Sequence, residues 1–252
     1  MAGVSRSSWR RWLRPDRAAA TADQPPTDPG EAEAWHRRAV AADPGRTLSM
    51  VKLADLLRKR GDAAEAEFWY KRAADAGDPF AMSTLGDLHL NRGDQAGAET
   101  WFRRAAGTGY VVAICNLGDL YRARDDPAEA EAWYRRAGDD EYAMSRLGSL
   151  FAHLGDAVQA ETWFRRAAGA GSTYAMDSLG GLLRDRGAVD EAERWLRRGA
   201  EAGNDFAMCS LGELLRDRGA VDEAERWLRR AANAGNSRAM SALGDLLAGG
   251  QA

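Results

Sequence analysis

Two patterns of apolar and small residues alternate along this chain, and each has the spacing of one face of an α-helix. The first, mostly A-M-x-x-L-G-x-L, places its leucine at Leu53, Leu85, Leu117, Leu147, Leu179, Leu211 and Leu243. The second, built on A-E-x-W-x-R-R-A, places its tryptophan at Trp35, Trp69, Trp101, Trp133, Trp163, Trp195 and Trp227. Successive tryptophans lie 30 to 34 residues apart. Such a period predicts stacked helix pairs instead of one globular core.

The residues between the two patterns predict where helices begin and end. Pro79 suits a first helical turn, because its missing N–H is not needed there. Gly93 ends that helix and Asp94 caps the next one. Alanine replaces the cap residue at Ala188 and Ala220, so we expect those helix starts to be weaker by about 1 kcal/mol each. Capping-box spacing occurs at three further aspartates, which are Asp62, Asp126 and Asp156.

Glycine follows the leucine of the first pattern at Gly86, Gly118, Gly148, Gly180, Gly212 and Gly244. A glycine inside a helix costs up to about 1 kcal/mol relative to alanine. Its recurrence therefore predicts a close crossing between the two helices of each pair. We expect the other side of that crossing to be formed by Ala98, Ala130, Ala160, Ala192 and Ala224.

These residues resemble two related repeat families. The tetratricopeptide repeat is matched in order and spacing by Met82, Leu85, Gly86, Ala98, Phe102 and Ala105. Sel1-like repeats are resembled by the linkers Ala74–Met82 and Ala200–Met208. The resemblance extends from Glu31 to about Leu247. It implies an all-α fold of about 14 helices, a right-handed α-α superhelix of the tetratricopeptide/Sel1-like solenoid type.

The pattern divides the chain into two segments. Residues 30–248 are expected to form the solenoid, with six complete helix pairs. A lone helix of the second type, Glu31–Ala42, precedes them, and a lone helix of the first type, Ser237–Ala248, follows. His36 stands where other repeats carry a large apolar side chain, and a polar ring there suits an open end of the stack.

Residues 1–29 are expected to be a disordered, basic and proline-rich tail, because prolines follow one another closely. An alternative stays open for Ser5–Arg17, in which Trp9, Trp12 and Leu13 lie among five arginines. This segment has the composition of a short basic amphipathic helix that touches a membrane or a nucleic acid.

Charge and cysteine content narrow the function and the compartment. The net charge of −3 argues against a nucleic-acid binder, and no apolar run approaches the roughly 20 residues of a membrane-spanning helix. Cys115 and Cys209 lie three repeats apart, too far for a disulfide, and free thiols suit the cytoplasm. Arginine supplies 32 of the 35 basic residues, which we interpret as the coding bias of a GC-rich bacterial genome.

The chain offers little for catalysis. His36, His89 and His153 are far apart in sequence, and no cysteine–histidine spacing suggests zinc or another metal. Leu182–Arg198 is identical over 17 residues to Leu214–Arg230, and a module copied whole is poorly suited to a unique active site. We therefore expect no enzyme activity and no cofactor.

A column of arginines, each three residues after a tryptophan, has two interpretations. The arginines could stack on the indole rings and form ion pairs between repeats, or they could form a basic strip for phosphate or an acidic partner. The acidic balance of the whole chain favours stacking. The column comprises Arg38, Arg72, Arg104, Arg136, Arg166, Arg198 and Arg230.

The concave face is where tetratricopeptide-like proteins usually hold ligands, and two columns of the first-type helices should point there. One column is small and the other largely acidic, so together they offer room and negative charge. The predicted partner-binding residues are Ser83, Asp87, Cys115, Asp119, Ser145, Asp177, Cys209 and Glu213. The alternative is that the acids only form ion pairs within their helices, at Asp55–Arg58, Asp119–Arg122 and Glu213–Arg216.

The sequence thus predicts a cytoplasmic scaffold for protein–protein interaction that binds a partner segment on this face. The alternative is a regulatory peptide sensor that acts through a partner protein. The expected partner is a protein or peptide and not a nucleic acid, while the oligomeric state stays open.

Overall fold

The computed structural model describes residues 24–249, and all regular structure in that range is α-helical. The predicted fold class, all-α with about 14 helices, is confirmed. The fourteen helices are α1 (Pro29–Ala42), α2 (Thr47–Arg60), α3 (Ala63–Asp75), α4 (Pro79–Asn91), α5 (Gln95–Ala106), α6 (Val111–Ala123), α7 (Pro127–Arg136), α8 (Glu141–His153), α9 (Ala157–Ala170), α10 (Thr173–Asp185), α11 (Val189–Glu201), α12 (Asp205–Asp217), α13 (Val221–Asn233) and α14 (Ser237–Gly249). The segment Ser5–Arg17, for which an amphipathic helix was the alternative, lies outside the described residues.

The chain forms two compact units, one up to Thr108 and one from Gly109 onward. In the first unit α2 pairs with α3 and α4 with α5, while α1 packs on α2. In the second unit the pairs are α6/α7, α8/α9, α10/α11 and α12/α13, and α14 packs on α13. The even-numbered helices carry the first pattern and are called first-type helices; the odd-numbered ones are called second-type helices. In the second unit each first-type helix also contacts the next first-type helix, so one face of each forms part of a shared surface.

Most of the helices for which the sequence predicts a side-chain cap have one at their N-terminus. Asp156 accepts a hydrogen bond from the backbone N–H of Gln159 at 3.0 Å, as its spacing predicts. Ala188 and Ala220 provide no side-chain cap, also as expected. Asp62 does not act as a cap, because its carboxylate is taken by Arg60 instead.

Five glycines of the first-type helices mark close crossings, and the atoms nearest to them belong mostly to the side chain four residues after the expected alanine. A Cβ on Gly86 would lie 2.4 Å from the ring of Phe102, and a Cβ on Gly118 would lie 2.3 Å from the ring of Tyr134. A ring of the second helix fills this space in three pairs and a leucine does so in two. In one of these pairs the backbone oxygen of the expected alanine, Ala224, also lies 3.2 Å from the added Cβ.

Candidate partner-binding surface

The arginine column is occupied within the protein. Six of its members lie over the tryptophan three residues earlier, with 4.5 to 5.4 Å between the guanidinium carbon and the ring centre. Arg104 and Arg166 also reach acidic residues of the preceding repeat, Asp75 at 3.7 Å and Asp139 at 2.6 Å. The stacking interpretation is confirmed for these six, which leaves the basic strip without support. At Trp35 the stacked arginine is Arg46.

The small-residue column is less accessible than the sequence suggested. Ser83, Cys115, Ser145 and Cys209 are all buried. Ser145 Oγ donates to the carbonyl of Glu141 at 2.7 Å and lies 2.9 Å from Ser172 Oγ on α10. These four side chains lie largely beneath the surface, so they offer little area for contact with a partner.

Burial also lowers the reactivity of both cysteines. Removal from water raises the pKa of the Cys115 thiol to about 12 and that of the Cys209 thiol to about 11. Both thiols are free. Because the thiolate is the reactive form, neither cysteine is suited to act as a nucleophile near neutral pH.

Two of the predicted acids are already paired within the fold. Asp119 accepts a hydrogen bond from the Tyr134 hydroxyl at 2.7 Å and lies 3.8 Å from Arg122 and 3.4 Å from Arg146. The ion pair Asp119–Arg122 that the sequence offered as an alternative is therefore present. These contacts leave Asp119 little capacity to accept bonds from a partner.

Glu213 is held by a different arginine from the one expected. Nε and Nη2 of Arg238 each donate a hydrogen bond to its carboxylate, with Nε at 2.8 Å. Arg216, the partner that helical spacing suggested, pairs with Asp217 instead. The carboxylate of Glu213 is thus committed to a contact between α12 and α14.

Asp87 and Asp177 are the predicted acids with open acceptor atoms. Asp87 is the counterpart of Asp119 in an earlier repeat, but the residue there that corresponds to Tyr134 is Phe102, which has no hydroxyl to donate. Burial raises the pKa of Asp87. Oδ1 of Asp177 is buried and has no hydrogen-bond partner among residues 24–249, and burial is the main cause that raises its pKa.

The structure adds a column that the sequence interpretation missed. One large apolar or aromatic side chain in the first turn is exposed in six of the seven first-type helices, all except α14, and we call these residues the exposed apolar column. Each lies three residues before the small column and seven before the acidic one, so all three share one helix face. The column comprises Leu48, Phe80, Val112, Tyr142, Tyr174 and Phe206.

Two members of this column border a small pocket between α8 and α10. Its volume is about 260 Å³, and it is lined by Tyr142, Ser145, Arg146, Ser172 and Tyr174. Arg146 lies over the Tyr142 ring, with 4.7 Å between the guanidinium carbon and the ring centre. The pocket therefore combines two aromatic walls with hydroxyl groups and one cation.

Within residues 24–249, no three histidine, cysteine, aspartate or glutamate side chains are grouped as a metal site requires. The helices of that range also include none that is long and apolar enough to cross a membrane.

Comparison with known families agrees with the helix pairs. Tetratricopeptide repeat models match residues 51–110, 112–136, 142–166, 173–202 and 207–234, which is well over half of the chain. The chain belongs to the tetratricopeptide repeat family. A Sel1 repeat model matches residues 22–44, so this tetratricopeptide repeat protein also has a Sel1-like part, which lies outside the two linkers that resemble Sel1 repeats. A comparison with curated protein sequences found no match.

Solved structures place the tetratricopeptide repeat chain among solenoid proteins. A Sel1 repeat protein from Oxalobacter formigenes is 25% identical, with a TM-score of 0.64 over 88% of this chain and 71% of that one. The protective antigen c5321 of uropathogenic Escherichia coli is 26% identical, with a TM-score of 0.59 over 88% of this chain. This chain spans 53% of the length of c5321. A tetratricopeptide repeat protein from Parabacteroides merdae shares the fold at 15% identity and a TM-score of 0.58, over 87% of this chain and 92% of that one.

Proposed function

We propose that this chain is a non-catalytic, cytoplasmic scaffold that binds a segment of a partner protein on the concave face of its first-type helices. The observation that carries the proposal is the exposed apolar column, whose members Val112, Tyr142, Tyr174 and Phe206 lie on successive first-type helices of the second unit. Exposed apolar side chains grouped in this way mark interaction sites. The repeat family supports it, because tetratricopeptide repeats generally bind proteins or peptides. The peptide-sensor alternative would use the same surface, and no contact in the described residues favours it.

The chemistry of the surface suggests the kind of segment that it would accept. An apolar side chain of the partner would insert between Tyr142 and Tyr174, whose rings border the pocket. A lysine or arginine of the partner would reach Asp87, which is exposed, while Asp177 would add negative charge from below the surface because its open oxygen is buried. Ser83, Cys115, Ser145 and Cys209 would form the floor beneath the segment, while Asp119 and Glu213 would keep their arginine and tyrosine partners.

This division of roles guides the choice of variants. Changing Asp119 or Glu213 would break ion pairs inside the fold, and lost binding would then have two explanations. Tyr174 and Phe206 are better targets, because both side chains are at least half exposed and their truncation leaves no cavity. Phe68 on α3 is the matched control, since it is 53% exposed but belongs to a second-type helix.

The test is capture of partners by the immobilised full chain from extracts of the cells that produce it. We expect the double variant Tyr174→Ser/Phe206→Ser to retain about tenfold less of each specific partner, or even less, because aromatic anchors carry much of the energy of such contacts. The variant Phe68→Ser should retain the partners of the unmodified chain. Equal loss from both variants, or no loss from the double variant, would show that binding occurs elsewhere.

The organisation of the chain belongs to the same proposal. Residues 30–248 would act as the repeat array and residues 1–29 as a tail that takes no part in partner binding. A chain with Trp9 and Trp12 changed to serine should therefore capture the same partners and bind lipid vesicles no differently. A lower affinity for vesicles would favour the amphipathic helix at Ser5–Arg17.

A further inference from the structure

One face of α14 lacks the cover that the same face has in other first-type helices. Met240 is 52% exposed, whereas its counterpart Met208 on α12 is 6% exposed. Leu247 is likewise exposed while Leu215 is buried. In the complete pairs this face packs against the second-type helix that follows. The described residues provide no such helix for α14.

The glycine of α14 marks the same vacancy. A Cβ on Gly212 would meet the Leu228 side chain at 2.6 Å, and the equivalent glycines of the other pairs meet a ring or a leucine just as closely. A Cβ on Gly244 would have no atom within 4 Å. The notch that normally receives a side chain of the second helix is therefore open on α14.

The opposite situation exists at α1, a second-type helix that no first-type helix precedes among residues 24–249. A groove of about 650 Å³ runs between α1 and α2, and its lining includes Pro26, Ala32, His36, Lys52, Leu56 and Lys59. Repeat geometry requires a first-type helix to lie against the α1 side of this groove, where Ala32 and His36 stand. Among residues 24–249 no first-type helix occupies this groove.

His36 of α1 stands at the position where the other second-type helices carry a tyrosine, phenylalanine or leucine, and one of its ring nitrogens lacks a hydrogen-bond partner within the described residues. Its side chain is 6% exposed, and its Nδ1 has no hydrogen-bond partner among residues 24–249. This burial corrects our expectation of a polar ring at an open end. In a complete pair the ring covers the glycine of the first helix, and the Tyr134 hydroxyl bonds to Asp119, the residue after that glycine.

We propose that α14 of one copy docks into the α1/α2 groove of another copy and completes its helix pair. Gly244 would receive the His36 ring, and the next residue, Asp245, would accept a hydrogen bond from the ring. Met240 and Leu247 would become buried, as their counterparts are within the chain. The contact joins two different surfaces, α14 of one copy and the α1/α2 groove of the next. Each bound copy therefore still has one free surface, and assembly continues head to tail unless the copies close into a cyclic oligomer.

The N-terminal segment of the same chain is the competing occupant, and its sequence fits the groove poorly. In the complete pairs the glycine precedes its ring partner by 16 residues, as Gly118 precedes Tyr134. The same offset from His36 leads to Ala20. At that register Asp16 replaces the methionine, and Ala19 and Ala22 replace the two leucines of the first-type pattern. A second copy of α14 carries the full pattern, and residues 16–23 do not.

The first test is the mass of the full chain in solution, measured by light scattering over a wide range of concentration. We expect the average mass to rise above 27.4 kDa with concentration. The variant Gly244→Leu fills the notch without a clash inside the chain, and we expect it to stay at the mass of one copy. Gly181→Leu is the matched control, because Gly181 is also a helix glycine with nothing within 4 Å. It should associate as the unmodified chain does.

The second test uses two variants that block opposite surfaces. Lys52→Trp starts from an exposed side chain and fills the groove, while Gly244→Leu blocks α14. Each variant alone should remain a single copy, and circular dichroism should show unchanged helix content for both. An equimolar mixture should form pairs and nothing larger, since only one complementary contact remains.

Three results would overturn the proposal. One is a single-copy mass at every concentration. Another is association that Gly181→Leu removes and Gly244→Leu leaves intact, which would assign self-contact to the concave face. The third is a single-copy mass for the unmodified chain but association after Trp12→Ser/Leu13→Ser, which would assign the groove to the chain's own N-terminal segment. Capture of partners through Tyr174 and Phe206 is measured separately, so the two proposals can fail independently.

Discussion

Gly118 and Gly181 are helix glycines of the second unit with different surroundings, so we expect alanine to change the stability of the protein in opposite directions at the two positions. We predict that Gly118→Ala lowers the free energy of unfolding by about 1–3 kcal/mol, because the new methyl group would press into the buried Tyr134 ring. Gly181→Ala should raise it by up to about 1 kcal/mol, since open space surrounds that position and alanine favours the helix. Urea unfolding of the two variants checks both signs. A stabilising Gly118→Ala would contradict the close crossing.

Side-chain roles were predictable from sequence where they depend on neighbours within one helix. The stacking of Arg166 on Trp163 follows from a spacing of three residues. The prediction from sequence was wrong where two groups compete for one carboxylate. The carboxylate of Asp62 forms an ion pair with Arg60 instead of capping its helix. It also failed for Ser145 and Cys209, because helical spacing gives the face of a residue but not how deeply a neighbouring helix covers it.

Three helices of the second unit, α6, α11 and α13, start without a side-chain cap, and α13 offers a test at the scale of single elements. We predict that Ala220→Asp stabilises the protein by about 1 kcal/mol, since the new carboxylate can accept a hydrogen bond from an otherwise unsatisfied backbone N–H of α13. The reverse change Asp156→Ala should destabilise it by a similar amount, because Asp156 already caps α9. Thermal unfolding of both variants measures the effect. No change in either would show that these helix starts are stabilised by packing alone.

Neighbouring second-type helices are joined by arginines that bridge two glutamates. Arg165 bonds to Glu161 within α9 and to Glu191 of α11, the latter at 2.5 Å, and Arg197 bonds to Glu223 of α13 at 2.6 Å. The pairs within a helix were predictable from their spacing of four residues. The longer contacts were not, because they depend on how successive repeats stack.

These bridges predict how stability changes in acid. A hydrogen bond from arginine lowers the pKa of Glu191 and of Glu223 below the ordinary value of 4.5. The stabilisation they provide is therefore complete above that value and is lost as the pH falls through the lowered pKa of the folded state. Glu223→Gln should cost less than about 1 kcal/mol at neutral pH and reduce the loss in acid. Urea midpoints measured against pH, with Glu201→Gln as control, test this, and equal acid profiles for both variants would contradict it.

At the scale of the whole molecule, the repeat pattern was sufficient to predict the helix pairs and the family. It did not reveal the exposed apolar column, because Phe206 and Tyr174 precede the A-M of the first pattern and look like core residues in a sequence. Only the burial of each position distinguishes an apolar side chain inside the stack from one on its surface.

Stacking also predicts how protection is distributed within the second unit, since each helix depends on its neighbours. We expect the backbone amides of α14 to exchange with solvent faster than those of α12 in dilute solution, because Met240 is exposed where Met208 is buried. Hydrogen exchange followed by mass spectrometry measures this difference. Equal protection of the two helices in dilute solution would mean that α14 is covered by something other than the described residues.

The central claim is that a partner lies on the concave face, across the exposed apolar column, and site-specific photo-crosslinking tests it most directly. A photoreactive amino acid would replace Phe206 in one full-length chain and Phe68 in another, each produced in the cells that normally make the protein. The account predicts a crosslinked partner from position 206 and none from position 68. A partner crosslinked from position 68 and not from 206 would contradict it.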